Sequence, residues 1–218
     1  DELVTLYRFM KRIVFLISGN GTNLQAIIDK CKTGDINANI VSVISNNPDA
    51  FGIERAKSES IETKVINHRD YETRDLFDNE LFKYIKEVNP DLIVLAGFMR
   101  ILTPKITDSY FGKIINIHPS LLPKYPGLDT HSKVIENKDS SHGVSIHYVS
   151  NELDAGPLIA QATIKTKDKE ALEDLIERVH TAEHKIFPKV IKLICDDQIL
   201  LNSEKVIFHD LKTNGVHI

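Results

Sequence analysis

Short runs dense in Val and Ile alternate along the chain with longer stretches in which apolar residues recur at helical spacing. Strands are predicted at 12–18, 40–46, 63–67, 92–98, 113–118, 144–149 and 157–164, and helices near 23–33, 49–59, 70–88, 104–110 and 131–137. Several strands are apolar at consecutive positions, as in RIVFLIS and LIVLAGF, the pattern of strands covered on both faces. Strand and helix in regular succession predict an α/β fold of crossover units around a mixed, mostly parallel central sheet, with a Rossmann-like N-terminal half. The strongest helix is expected at about 171–196, where Leu172, Leu175, Ile176, Val179, Ile186, Phe187, Val190, Ile191 and Ile194 form one broad apolar stripe. Pro188 is expected to kink or split it, and a short strand is expected around 205–208.

Composition narrows the class. The 218 residues carry 27 Lys+Arg against 31 Asp+Glu, a net charge of −4 with histidines neutral. Charges of both signs are mixed along the chain, so the basic footprint that nucleic acid demands is missing and small-molecule partners are expected. Cys31 and Cys195 lie far apart and outside any CxxC unit, which supports neither a disulfide framework nor a metal knuckle and fits a reducing cytoplasm. The longest apolar run, Leu92 to Met99, is far short of the ~20 residues of a spanning helix, so no membrane partner is expected. Residues 1–9 lack the features of a signal peptide and are read as an N-terminal extension before a natural start at Met10. With no internal repeat or linker, a single domain over 10–200 is expected, followed by a tail over 201–218.

Five segments could carry chemistry. Ser18-Gly19-Asn20-Gly21-Thr22-Asn23-Leu24 joins the first strand to the first helix, where glycines admit a ligand to the backbone and free N–H groups attract an anion. It lacks the Lys-Ser/Thr end of a Walker loop and the third glycine of a dinucleotide fingerprint, which points to a phosphate group without a nicotinamide dinucleotide. Asn116 and His118 share one side of a strand at its carboxyl end, where open α/β sheets bind ligands, and suit oxyanion binding and proton transfer. Asp154, in the turn-rich NELDAGP segment, is placed to orient and charge that imidazole if it reaches it, though alone it is an ordinary turn former. Met99-Arg100-Ile101-Leu102 is an apolar loop with one charge, suited to the wall of a heterocycle pocket or simply to core packing. His180-Thr181-Ala182-Glu183-His184 imitates an inverted zincin motif without a third ligand downstream, so no metal is expected and Glu183 reads better as a polar group at a pocket edge.

In this order, LISGNGTNLQAIID, VISNNPDAFGIERA, PDLIVLAGFMRIL, INIHPSLLPKYPGLDTH, HGVSIHYV, ELDAGPLIAQA and RVHTAEHKIFP resemble the folate-dependent phosphoribosylglycinamide formyltransferases, over about residues 11–200. The resemblance implies the single-domain formyltransferase fold and transfer of a formyl group from 10-formyltetrahydrofolate to the glycinamide amine, with no metal. It implies a catalytic trio of Asn116, His118 and Asp154. Gly21, Thr22, Asn23, Leu24 and Gln25 would hold the ribonucleotide phosphate, and His180, Thr181, Ala182 and Glu183 its glycinamide end. Arg74, Met99, Arg100, Ile101 and Leu102 would form the folate site with Asn116, Ser150, Asn151, Glu152, Leu153 and Asp154. Asp129 stands where such sequences often carry histidine, and Ala155 where glycine is common. A monomer or homodimer is expected. The alternatives are a formyltetrahydrofolate hydrolase, a methionyl-tRNA formyltransferase and a noncatalytic nucleotide-binding module. The first two normally carry an extra domain for which 218 residues are expected to leave no room.

Overall fold

The computed structural model describes residues 10–209 and 216–217. The chain begins with β1 (Lys11–Ile17), α1 (Thr22–Lys32), β2 (Ala38–Ser45), α2 (Phe51–Ser58) and the short β3 (Thr63–Val65). It continues through α3 (Arg74–Val88), β4 (Leu92–Ala96), α4 (Pro104–Ser109), β5 (Ile114–His118), α5 (Thr130–Glu136), β6 (Ser141–Tyr148) and β7 (Leu158–Lys165). The long α6 (Leu172–Cys195) is followed by β8 (Ile199–Asn202), β9 (Lys205–Phe208) and β10 (Val216–His217).

The main sheet runs β10-β7-β6-β5-β4-β1-β2-β3. Strands β1 to β5 pair in parallel, β6 is antiparallel to both β5 and β7, and β10 adds to β7 in parallel. Side-chain alternation divides the core in two. Ile13, Phe15, Ile17, Val94, Ile115 and Ile117 face α1, α2, α5 and α6. Val14, Leu16, Ile93, Leu95 and Ile114 face α3 and α4 on the opposite side. Both faces are covered, which accounts for the consecutive apolar positions of the inner strands. Among the described residues, no helix is long and apolar enough to cross a membrane.

Three elements depart from the sequence-based expectation. The helix expected from residue 70 begins at Arg74, because Thr73 is extended and its hydroxyl accepts the Leu76 N–H at 3.3 Å; residues 68–70 form a separate 3₁₀ turn. Pro188 does not divide α6, which is one helix of 24 residues. The strand expected at 205–208 is half of an antiparallel hairpin whose other half, β8, crosses residue 200. Each β8 residue gains a partner only from the strand that follows, so a four-residue run carried little signal by itself.

Candidate functional site

The carboxyl ends of β1, β4 and β5 open on one edge of the sheet, and the loops leaving them build the site. Asn116 and His118 stand two apart on β5, and the antiparallel pairing sets Asn116 opposite His147 and His118 opposite Ser145 on β6. All four therefore share one face.

Acceptor-only partners settle the histidine protons. The Tyr125 carbonyl lies 2.8 Å from His118 Nε2, so that nitrogen carries the hydrogen and Nδ1 is the ring atom that takes up or releases a proton. Nδ1 faces Asp154 Oδ2 at 3.5 Å. The Tyr148 carbonyl, 2.9 Å from His147 Nδ1, likewise places a hydrogen there, and Nε2 lies 3.2 Å from Asn116 Nδ2 and 3.6 Å from Asp154 Oδ1. This orients the Asn116 amide, whose Nδ2 also points toward Asp154 Oδ1 at 3.4 Å. The separations from Asp154 exceed a good N–H···O distance, so Asn116 Nδ2 and His118 Nδ1 converge on one region without being committed to the carboxylate.

Asp154 reaches this place from the loop between β6 and β7, at φ 51, a left-handed conformation that aspartate tolerates. Its side chain is 8% exposed, and Oδ2 accepts the Gly127 N–H at 2.8 Å. Burial alone would raise its pKa. The His147 contact, the Gly127 N–H and the nearby His118 outweigh that effect and hold the carboxyl below its ordinary range, ionised at neutral pH.

The loop from β1 to α1 forms the second part. Gly21 caps α1 at φ 75, and a Cβ there would stand 2.8 Å from the Gly52 Cα. That left-handed, close-packed corner is open only to glycine. The Gly52 N–H donates to the Gly19 carbonyl at 3.0 Å, which seats the start of α2 against the loop. Thr22 and Asn23 open the helix, and Asn23 Nδ2 donates to Glu183 Oε2 at 3.0 Å. The structure thus joins two sequence segments that are 160 residues apart. Asn23 Oδ1 is buried with no hydrogen-bond partner among the described residues. Burial raises the Glu183 pKa against the opposing pull of the Asn23 amide and His180. Asn23 and Glu183 thus form one part-buried polar pair where α1 meets α6.

The other sequence-predicted residues divide by what they expose. Leu24, Leu102 and Ala182 are buried, so they belong to the core and can offer a ligand only their backbone. Gln25 Nε2 bonds Asp29 on its own helix at 2.9 Å. His180 and Thr181 are exposed on α6, and the His180 and His184 rings stand nearly parallel at 6.5 Å. Among the described residues no group of three or more His, Cys, Asp or Glu is placed to hold a metal ion. Arg74 is the exposed first residue of α3, and Arg100 lies over the Phe77 ring of that helix at 4.8 Å. Met99, Ile101 and Leu153 are apolar yet 65%, 48% and 50% exposed, leaving apolar surface around the carboxyl edge. Asn151 is tied to Thr107 and to Asp108, while the Ser150 hydroxyl accepts the Glu152 N–H at 3.3 Å, so the loop bearing Asp154 is anchored to α4.

Sequence reasoning missed His147, Ser145 and the pair formed by His131 and His142. Polar residues at alternate positions of an otherwise apolar strand, Ser145 and His147, were the available signal. Ser145 Oγ donates to the Ser120 carbonyl at 2.7 Å and accepts the Leu122 N–H at 3.0 Å, shaping the turn after His118. His131 Nδ1 and His142 Nε2 are 2.9 Å apart. Burial, aided by neighbouring histidines that include His118, lowers each to about 4.

That depression has a definite sign. An unfolded histidine titrates near about 6.5, so between that value and about 4 the unfolded chain binds protons that the native pair refuses. The pair's contribution to stability is complete above about pH 6.5, falls as pH drops through this window and changes no further below about 4. Tm measured across the window should decline in the native chain and decline less in His142→Gln. Parallel declines would contradict the assignment.

The family described as "Formyl transferase" matches residues 11–191. The chain belongs to the formyl transferase family. It is 48% identical over 190 residues to the phosphoribosylglycinamide formyltransferase of Escherichia coli K12, covering 87% of this chain and 90% of that one. The phosphoribosylglycinamide formyltransferase structure from Coxiella burnetii, in complex with CHES, superposes with a TM-score of 0.89 at 44% identity, covering 95% and 99% of the two chains. Glycinamide ribonucleotide transformylase 1 from Symbiobacterium toebii gives a TM-score of 0.90 at 35% identity, covering 96% and 99%. The mixed, mostly parallel sheet is the fold of this formyl transferase family.

Proposed function

We propose that the chain transfers a formyl group from 10-formyltetrahydrofolate to the amine of 5-phosphoribosylglycinamide in purine synthesis, and that Asn116, His118 and Asp154 carry the reaction. The observation that carries this reading is the convergence of Asn116 Nδ2 and His118 Nδ1 on the ionised Asp154, with the Asn23–Glu183 hydrogen bond joining α1 to α6 in the same chain. Identity to named formyltransferases across most of the chain supports the same reaction.

In this scheme the substrate amine attacks the formyl carbon directly, forming a C–N bond without a protein nucleophile. Negative charge develops on the formyl oxygen, where the Asn116 amide and the protonated Nδ1 of His118 donate hydrogen bonds. Asp154 stabilises the imidazolium and keeps the ring aimed. The bond to the folate nitrogen then breaks, the amine loses a proton, and the departing nitrogen receives one through the His118–Asp154 pair. Met99, Ile101 and Leu153 offer apolar surface for the flat donor, with Arg74 and Arg100 as candidate partners for its anionic end. Glycine-rich turn and helix N-terminus over 19–23 suit the ribonucleotide phosphate.

Titration with the ribonucleotide and its dephosphorylated counterpart tests the cradle. The phosphorylated form should bind at least about 10-fold tighter, as expected if one charge-assisted anchor is lost on dephosphorylation. Equal affinities would contradict it.

A further inference from the structure

The segment 97–103, between β4 and α4, is tied at both ends by side chains from elsewhere in the fold. At its start, Ser18 Oγ accepts the Met99 N–H at 2.8 Å and donates to Asn46 Oδ1 at 2.5 Å. The Ser18 N–H also donates to the Gly97 carbonyl at 3.1 Å. At its end, Asp78 Oδ2 accepts the Thr103 N–H at 2.5 Å. Thr103 is the N-cap of α4 and its side chain makes no capping bond, so α3 supplies the anchor from outside. Between these two points Leu102 is buried and Arg100 packs over Phe77, the neighbour of Asp78 on α3.

Asp78 is an expensive way to pack a helix. The residue is 1% exposed, and its second carboxyl oxygen, Oδ1, has no hydrogen-bond partner among the described residues. A buried polar atom left unpaired costs stability, so an apolar side chain would serve the core better. What the carboxyl supplies is the hold on Thr103.

We propose that Asp78 and Ser18 are positioning residues that keep segment 97–103 preformed as a wall of the donor subsite. The inference rests on the reading above in which Met99 to Leu102 line that subsite. A wall fixed before the donor arrives spares the ordering cost that a loose loop would pay on binding. Neither residue reaches the reacting atoms in this account. Their effect therefore falls on donor binding, and asparagine at position 78, which retains an acceptor for the Thr103 N–H, preserves it.

Steady-state constants for both substrates, with Tm as the check on folding, test the clamp. Asp78→Ala should raise the donor KM about 10-fold while the ribonucleotide KM stays within about twofold. Asp78→Asn should return the donor KM to near the native value. Ser18→Ala should raise the donor KM by more than the ribonucleotide KM, and it carries the test if Asp78→Ala does not fold. Titration of a folate analogue without ribonucleotide should show the same weakening. An unchanged donor KM in a folded alanine variant, an equal rise in both constants, or an asparagine variant as impaired as alanine would overturn the clamp. Absence of formyl transfer by the native chain would instead overturn the reading on which it rests.

Discussion

Asp154→Asn should lower kcat by at least about 100-fold while leaving ribonucleotide affinity within a few-fold of the native value. The substitution keeps the size of the side chain and an oxygen for the Gly127 N–H, which Asp154 now holds at 2.8 Å. It removes the charge that faces His118 Nδ1 at 3.5 Å. The imidazolium then loses its stabilising partner, and proton transfer to the departing nitrogen loses its relay. Because Asp154 is held below its ordinary pKa, the carboxylate is the form present throughout the neutral range, and the loss should persist from pH 6 to 8. His118→Ala should be at least as damaging, since it removes the side chain proposed as both oxyanion donor and proton carrier. The residues proposed to contact the ribonucleotide, Asn23 and Glu183, lie on α1 and α6 and are untouched by either change. Single-turnover kinetics with isothermal titration would separate the two effects. Turnover within about 10-fold of native in both variants would refute the assigned roles.

Gly156→Ala should destabilise the fold by about 3 kcal/mol and suppress turnover with it. The reason is steric. A Cβ at residue 156 would stand 1.8 Å from the Tyr148 carbonyl oxygen and 3.2 Å from the Ser150 nitrogen. Backbone has to move, because neither contact is the end of a flexible side chain. The Tyr148 carbonyl is also the group that fixes the His147 proton at 2.9 Å, and His147 in turn orients Asn116. Asp154 lies two residues before the collision. One added methyl group therefore displaces the whole constellation, and a lowered Tm with reduced kcat is expected. Native Tm and native turnover together would show that the loop absorbs the change and that its close approach is incidental.

Legibility in the sequence followed the range of the interactions involved. Asn116 and His118 were visible because strand periodicity alone places them on one side, and the switch from apolar run to proline marked the strand's end. Both faces of the inner sheet were legible from consecutive apolar residues such as those of β1 and β4. Asp154 read from its own segment as an ordinary turn residue. What brings it to His118 is a left-handed backbone at one position and an N–H from Gly127, 27 residues away. Only the family resemblance placed it in the trio. His147 needed the antiparallel register of β5 and β6, which no local pattern specifies, although alternation of Ser145 and His147 hinted at it. The pairing of β10 with β7 involves two residues and left no pattern to read. Leu24, Leu102 and Ala182 show the reverse case, where segment-level likeness named residues whose side chains the fold buries.

The negative formal charge of −4 places no general positive field around an anionic substrate. In the proposed scheme local groups do the work, a glycine-built turn and a helix N-terminus. The same local character separates transfer from hydrolysis, since the trio would serve either water or an amine as nucleophile. The most direct measurement follows release of tetrahydrofolate from 10-formyltetrahydrofolate with and without 5-phosphoribosylglycinamide, alongside detection of the formylated ribonucleotide. The account predicts release only when the ribonucleotide is present, in equal amounts with formylated product. Release at the same rate in its absence, or release without formylated product, would contradict it.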